Sequence, residues 1–392
     1  MKKINVIFCL LAVFSLAFTF IIFTEQSDEA ERIKVEGIEN FQPISNEEGN
    51  YLLFYPADIR VNQENLIIKE VNSTGEIMHE YEVIDSDFRR MIAHQKPNDQ
   101  NKLYVSLFGE ATIDNYYYTY DISKKQFEKI NLSYFDIDVG VDHIMHYGND
   151  ILFQTLVSYK TGEQNLTESG EFNVSISNYT NQMSFETEYG HVPKWTPILE
   201  FGDKIVYGTS GQLNEKGKYE NFGIGVLSME QQTIEYKTPK KNEDLSPIYS
   251  TEKNLYILDS QGKMYVYDKN FNYKTYEPFL NISADYYYSD DSPPLFIDEN
   301  RALISISDNE TGPIIGMLSL EPTPKFKKLD KNYIQSNSIY RFLYQNINEE
   351  EIYVVKSSEK KESLLVLDNK SFDLITEIPI EDAHLLDFVV KN

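Results

Sequence analysis

Short apolar runs separated by turn-forming residues cover most of this chain. Runs such as YLLFY (51–55), KLYVSLF (102–108) and SLLVLD (363–368) are rich in Tyr, Val, Leu and Ile. Such residues favour pleated strands, and runs this short are typical of strands rather than of helices. Gly, Asn, Asp, Lys or Pro separate the runs, and after residue 24 no stretch combines capping signals with a sustained helical period. The pattern predicts an all-β protein.

The apolar runs are organised as a repeat. Seven times a run ends at a marker residue, and a second run follows within about ten residues, with a period of roughly 50. The markers are Asn72, Asp121, Asn178, Ser228, Asp268, Leu320 and Asp368, of which Leu320 is the one apolar exception. Each unit offers four short strands, which is the geometry of a propeller blade. The repeat predicts a β-propeller of about seven four-stranded blades over residues 49–392.

An additional strand is available to close such a ring. The tail LLDFVVK (385–391) is one candidate, and a first strand near Ile33 to Ile38 in the polar stalk (25–48) is the other. Pairing a strand from one end of the chain with strands from the other end removes exposed sheet edges.

The repeat rhythm resembles that of a known superfamily. An apolar run, an aspartate, a turn and a second apolar run occur at Asp121, Asp268 and Asp368. This rhythm is similar to YVTN-type and related WD40-like propeller repeats, and the resemblance covers most of residues 48–391. It implies the propeller architecture without implying a particular activity.

The first 24 residues differ from the rest of the chain. Residues 4–23 are almost wholly apolar, with Lys2 and Lys3 before them and acidic residues after them. As a helix this segment would span about 30 Å, and the lysines would keep its start in the cytoplasm. We expect an uncleaved single-pass membrane anchor with the propeller outside the cytoplasm. A signal peptide cleaved near residues 15–17, which would give a secreted protein, is the alternative.

Charge and cysteine content narrow the function classes. The formal net charge is -26, from 62 acidic and 36 basic residues, so the average field repels phosphate and a nucleic-acid partner is not expected. Cys9 is the single cysteine and lies within the apolar segment, so the exported part cannot form an internal disulfide.

Three aspartates form the most suggestive metal-binding pattern. Asp136, Asp138 and Asp142 would lie on one face of a strand, with Ile137, Val139 and Val141 on the other. Carboxylate oxygens suit Ca²⁺, although the spacing is not that of an EF-hand. A calcium site is therefore one interpretation, and a solvated acidic strand is the other; no other cofactor is expected.

An aromatic and acidic segment is the best candidate for ligand binding. Tyr286, Tyr287 and Tyr288 precede the loop-like residues Asp290 and Asp291. Exposed tyrosine rings could stack on a sugar or a peptide. Tyr116 to Tyr118, by contrast, lie in a predicted strand and are expected to pack in the core.

The sequence holds no recognisable catalytic motif. It lacks a Gly-x-Ser-x-Gly elbow, a phosphate-binding glycine loop and a cysteine nucleophile in the propeller. We therefore expect a membrane-anchored binding platform for a protein, peptide or glycan. The alternatives are a propeller lyase or hydrolase with a carboxylate-lined site, and a sensory ectodomain that works with a membrane partner.

Overall fold

The computed structural model describes most of the chain from residue 48 onwards. The described residues are 38–40, 48–58, 62–83, 90–95, 99, 101–108, 116–132, 140–148, 150–155, 175–178, 183–187, 198–209, 212–213, 219–220, 222–237, 244–280, 286–287, 294–308, 312–335, 338–343, 350–358, 361–380 and 386–391. The predicted anchor (1–24) and the possible strand at 33–37 lie outside them. No described helix has the length and apolar character needed to cross a bilayer.

The first half of the described chain forms four sheets and a short ribbon. Sheet 1 contains β1 (Ile38–Asn40), β2 (Tyr51–Tyr55), β3 (Leu66–Val71), β4 (Ile77–Val83) and the last strand, β32 (Phe388–Lys391). Sheet 2 contains β5 (Arg90–Gln95), β6 (Lys102–Phe108), β7 (Tyr116–Asp121) and β8 (Gln126–Asn131). Sheet 3 contains β9 (Val141–Tyr147), β10 (Asp150–Thr155), β11 (Ser175–Asn178) and β12 (Met183–Glu186). Sheet 4 contains β13 (Leu199–Phe201), β14 (Lys204–Thr209), β17 (Gly223–Ser228) and β18 (Thr233–Lys237). The ribbon is β15 (Gln212–Leu213) with β16 (Tyr219–Glu220).

The second half of the described chain forms three further sheets. Sheet 5 contains β19 (Leu245–Ser250), β20 (Leu255–Asp259), β21 (Met264–Tyr267) and β22 (Tyr273–Tyr276). Sheet 6 contains β23 (Tyr286–Tyr287), β24 (Leu295–Phe296), β25 (Arg301–Asp308), β26 (Gly312–Ser319) and β27 (Lys325–Lys328). Sheet 7 contains β28 (Ile339–Phe342), β29 (Glu351–Ser358), β30 (Lys361–Asp368) and β31 (Leu374–Ile380).

The marker residues of the sequence repeat have a common structural position. Each lies at, or just after, the end of the third strand of its sheet; for example Asp121 ends β7 and Asp368 ends β30. The Asp268 carboxylate accepts hydrogen bonds from the backbone N–H groups of Asn270 and Asn272, both at 2.9 Å. Short polar side chains favour such turns because they satisfy the backbone donors locally. The predicted repeat is confirmed, and we call the side of the molecule where these turns lie the marker face.

A second polar residue ties the marker turn to the rest of the sheet. Asn50, Asn101 and Asn300 each precede a second strand, and each side chain accepts a hydrogen bond from a backbone N–H of the marker turn. The distances are 2.9 Å to Ser73, 2.9 Å to Ser123 and 2.6 Å to Glu321. Two adjacent turns at the marker face are thereby held together in sheets 1, 2 and 6.

The sheets pack face to face, each on its neighbours. Along β20, Leu255 and Ile257 pack against sheet 4, while Tyr256 and Leu258 pack against sheet 6. Because both faces are buried, the strands read as nearly continuous apolar runs. Within the described residues, seven core clusters join successive sheets, and one of them joins sheet 7 to sheet 1. The stack therefore closes into a ring, and the protein is an all-β propeller of four-stranded blades.

The chain's last strand closes the ring. β32 pairs antiparallel with β2, with Leu53 opposite Val389, and provides the inner strand of sheet 1. The Lys391 ammonium donates to Glu351 of sheet 7 at 2.8 Å, and Arg341 of β28 donates to the backbone carbonyl of Leu386. Of the two closures considered from the sequence, the tail is the one that forms. The N-terminal strand β1 instead covers the outer edge of sheet 1 by pairing with β4.

Candidate functional site

A cleft on the marker face lies between sheets 5 and 6. Its volume is about 350 Å³. One wall comes from the start of β20, the turn 268–272 and β22; the other comes from residues 320–324, between β26 and β27. The second strands begin and the third strands end on the marker face, so the topology brings these segments together. The cleft combines tyrosine and proline surfaces with amide and carboxylate groups.

Three polar side chains at the cleft form a hydrogen-bonded group. The Tyr256 hydroxyl donates to Glu321 Oε1 at 3.1 Å, and Asn254 Nδ2 donates to the same oxygen at 3.3 Å. Burial raises the pKa of Tyr256 to about 12, and the neighbouring Glu321 carboxylate adds to the rise. Tyr256 is thus a neutral donor at physiological pH, which suits it to holding a carboxylate in place and not to acting as a base.

The Glu321 main chain is hydrogen-bonded as well as its side chain. Its N–H donates to Asn300 Oδ1 at 2.6 Å, through the contact that anchors the marker turn of sheet 6. The following peptide bond, Glu321–Pro322, is cis. With its main chain tied to sheet 6 and its carboxylate bonded to sheet 5, Glu321 is positioned before any ligand arrives.

The other wall of the cleft supplies an anion, a cation and aromatic rings. Hydrogen bonds from the backbone and side chain of Asn272 lower the pKa of Asp268, so this carboxylate is charged at neutral pH. Lys274 is exposed on the same wall. The Tyr273 ring is 44% exposed although it packs against Tyr267 with ring centroids 5.1 Å apart. The wall offers aromatic surface beside charged groups.

A second cluster lies between the inner strands of sheets 2 and 3. The rings of His94 (β5) and His146 (β9) are stacked with centroids 4.8 Å apart, and the Tyr104 ring meets His146 edge-on at 4.6 Å. In stacked rings the nitrogen lone pairs lie in the ring planes and do not point at the other ring. This packing is therefore poorly suited to coordinating one metal ion between the two histidines. The cluster belongs to the packing between the sheets.

The predicted calcium ligands are not tested by the described residues. Asp136 and Asp138 lie outside them, and Asp142 is placed in β9 without a described side chain. In the described part of the chain, no group of three or more His, Cys, Asp or Glu side chains is arranged to hold a metal ion. The calcium site stays a prediction, which calorimetric titration of the full chain with Ca²⁺ would test.

The predicted aromatic ligand site is only partly described. Tyr286 and Tyr287 form β23, which pairs with β25 in sheet 6, while Tyr288, Asp290 and Asp291 lie outside the described residues. This site also stays a prediction. Tyr117 and Tyr118, by contrast, are buried in β7, which confirms their predicted packing role.

Comparison with known proteins supports the fold without naming a family. No family of known sequences and no curated protein matches the chain. Solved structures do match, among them a post-proline cleaving enzyme from Rickettsia typhi, with 14% identity and a TM-score of 0.54. That match covers 88% of this chain and 54% of the enzyme, so this chain spans about half of the enzyme's length.

Two other matched structures have lower TM-scores. The propeller domain of the Trilobed protease from Pyrococcus furiosus has 12% identity and a TM-score of 0.49, over 88% of this chain and 99% of that domain. The dihydro-heme d1 dehydrogenase NirN has 9% identity and a TM-score of 0.48, over 91% of this chain and 80% of that enzyme. The described sheets and the core clusters between them identify the protein as a β-propeller, while the narrower resemblance to YVTN and WD40-like repeats is not confirmed.

The comparisons correct the function expected from the sequence. The sequence predicts a binding platform for a protein, peptide or glycan, but the structure that matches 88% of the chain with a TM-score of 0.54 is that of a post-proline cleaving enzyme. On this comparison the prediction of a platform is wrong. Strand and turn patterns report the scaffold and not the chemistry that the scaffold carries, so they cannot separate a platform from an enzyme.

Proposed function

We propose that this chain is a propeller hydrolase that takes part in the cleavage of peptides. The observation that supports this proposal is the match to the post-proline cleaving enzyme, which extends over 88% of the chain with a TM-score of 0.54. At 14% identity this likeness concerns the fold, so the activity and the choice of bond are our inference.

The test is hydrolysis of defined peptides by the full chain purified in mild detergent. Paired peptides that differ only by proline or alanine at one central position would be incubated with it, and the products identified by mass spectrometry. We expect new termini after proline, with a rate proportional to protein concentration. Intact peptides after prolonged incubation with folded protein would refute the proposal, and equal cleavage of both peptides would refute the preference for proline.

We further propose that each of the sheets 1 to 7 is one blade of a seven-bladed ring. The seven described core clusters, each between successive sheets, support this number. An experimental density map at a resolution that separates the sheets would test it, because a different number of radial sheets is directly countable.

We also propose that the propeller lies outside the cytoplasm, anchored by residues 4–23. The apolar length of that segment and the preceding Lys2 and Lys3 support this arrangement. Protease added to intact cells should remove the propeller and leave a short fragment in the membrane. Protection of the propeller until the cells are lysed would contradict the proposal, and recovery of the intact propeller in the medium would favour the secreted alternative.

A further inference from the structure

We propose that the cleft between sheets 5 and 6 binds the Lys or Arg side chain of a peptide. This inference rests on the proposed function, because it names the kind of peptide that the hydrolase would hold.

The carboxylate of Glu321 is prepared for a cationic partner. Tyr256 and Asn254 hold Oε1 at 3.1 and 3.3 Å, and the Glu321 N–H is tied to Asn300 at 2.6 Å. A carboxylate fixed by its surroundings loses little conformational freedom when a ligand binds, and a charged donor is its strongest hydrogen-bond partner. Asp268 adds a second negative charge across the cleft, against the single positive charge of Lys274.

The aromatic wall favours a cation for a separate reason. Tyr273 is 44% exposed, and Tyr256 and Tyr276 also line the cleft. An ammonium or guanidinium group is attracted to the face of an aromatic ring. The protein already uses this contact internally, since Lys129 Nζ lies 3.5 Å from the Tyr116 ring centroid and Lys237 Nζ lies 5.0 Å from that of Phe271. A basic side chain entering the cleft would find both a ring and a carboxylate.

The field of the whole molecule acts in the same direction. With a formal net charge of -26, the protein attracts basic peptides and repels acidic ones at low ionic strength. Because this long-range attraction is screened over about 10 Å at 0.1 M salt, only the contacts inside the cleft should survive at physiological salt. The salt dependence therefore separates a specific site from general attraction.

The experiment measures binding of three blocked peptides to the full chain by calorimetry at 0.15 M salt. The probes are N-acetylated, C-amidated Ala-Ala-X-Ala-Ala with X as Lys, Gln or Glu. A surface ion pair and a cation–π contact together predict about tenfold tighter binding of the Lys peptide than of the Gln peptide. The Glu321→Gln variant should remove this preference. Equal binding of the Lys and Gln peptides would overturn the inference.

Matched variants distinguish the cleft from other acidic surface. Glu350→Gln removes the same charge beside the marker turn of sheet 7, where Glu350 pairs with exposed Lys370, and should leave the preference intact. Tyr273→Ala removes the exposed ring and should weaken Lys peptide binding severalfold; thermal unfolding verifies that each variant is folded. A preference that is unchanged in both Glu321→Gln and Tyr273→Ala, or lost in Glu350→Gln, would contradict the assignment.

The readout also separates this inference from the proposed function. Binding that depends on Glu321 in a protein that cleaves no peptide would support the cleft and refute the hydrolase. Hydrolysis combined with Lys peptide binding that is insensitive to the cleft variants would refute the cleft alone.

Discussion

A buried carboxylate between sheets 1 and 2 provides the sharpest test of how the ring is held together. Glu70 of β3 has a fully buried side chain and accepts hydrogen bonds from the Lys125 ammonium at 2.8 Å and the Tyr81 hydroxyl at 3.2 Å. The backbone N–H of Gly49 donates to its other oxygen. Lys125 belongs to the marker turn of sheet 2, so this ion pair joins two neighbouring sheets.

The perturbation is Lys125→Met, which keeps the length of the side chain and removes its charge. At 2.8 Å and an effective dielectric constant of about 20, the gross attraction is about 6 kcal/mol. Gly49 and Tyr81 still bond the carboxylate, and the Lys125 side chain is 21% exposed, so water offsets part of the loss. Removing one partner of a buried pair costs about 3–5 kcal/mol, and we expect about 3 kcal/mol here.

The assay is urea unfolding at pH 7, with Lys124→Met as the matched control. Lys124 is the preceding residue in the same turn, and its 2.9 Å pair with Asp121 is 70% exposed on the lysine side. A surface pair of this kind contributes about 0–1 kcal/mol. If Lys125→Met lowers the free energy of unfolding no more than Lys124→Met does, the assignment of a stabilising buried pair is refuted.

The pH dependence of the same pair gives an independent check. Burial by itself would raise the pKa of Glu70, but the bonds from Lys125 and Gly49 outweigh it and lower the pKa below its ordinary value. A lowered folded-state pKa stabilises the protein above the unfolded-state value, and this stabilisation is lost as the pH falls through the folded-state value. The wild type should therefore lose stability between its unfolded and folded pKa values, below about pH 4.5. A Glu70→Gln variant with the same acid unfolding curve would contradict this origin.

Two further perturbations test packing and closure. Gly225→Ala in β17 would place a methyl group 2.2 Å from the ring of buried Tyr207. We expect the free energy of unfolding, measured with urea, to fall by about 1–3 kcal/mol. An unchanged midpoint would contradict this packing. Lys391→Met removes the partner of buried Glu351 at the closing strand. Relative to the wild type, amide hydrogen exchange should therefore speed up more in β32 than in β31. Unchanged exchange in β32 would contradict a closing role.

The architecture could be predicted from the sequence because the residues that form each marker turn are close together in the chain. Asp268 directly follows a third strand, and its carboxylate accepts hydrogen bonds from the backbone of Asn270 and Asn272, so its chemistry is visible in a short window of sequence. The burial of Glu70 was also accessible in principle, since Leu66, Ile68 and Glu70 alternate on one face of β3 and are all buried. A carboxylate that shares a strand face with two core residues indicates that a buried group pairs with it, but the strand sequence does not say which residue supplies that group.

The cleft could not be predicted in the same way. Tyr256 and Glu321 are 65 residues apart and belong to different sheets, and each sits in an ordinary strand or turn sequence. Their meeting depends on how sheet 5 packs on sheet 6, which no local pattern specifies. Sequence reasoning selects carboxylates and tyrosines that are close together along the chain, such as Asp136 with Asp138, whereas the cleft joins residues that are far apart in sequence.

Sheet 1 holds both the first and the last described strands, and these two strands are attached at opposite edges. β1 is attached to the outer edge through only three residue pairs with β4, whereas β32 is attached to the inner edge and is further fastened by Lys391. A pull on the N-terminal side of β1 would first detach that short strand. The remaining strands of sheet 1 and their pairing with β32 would stay assembled at that point, and only then would the tension pass along the chain to β2.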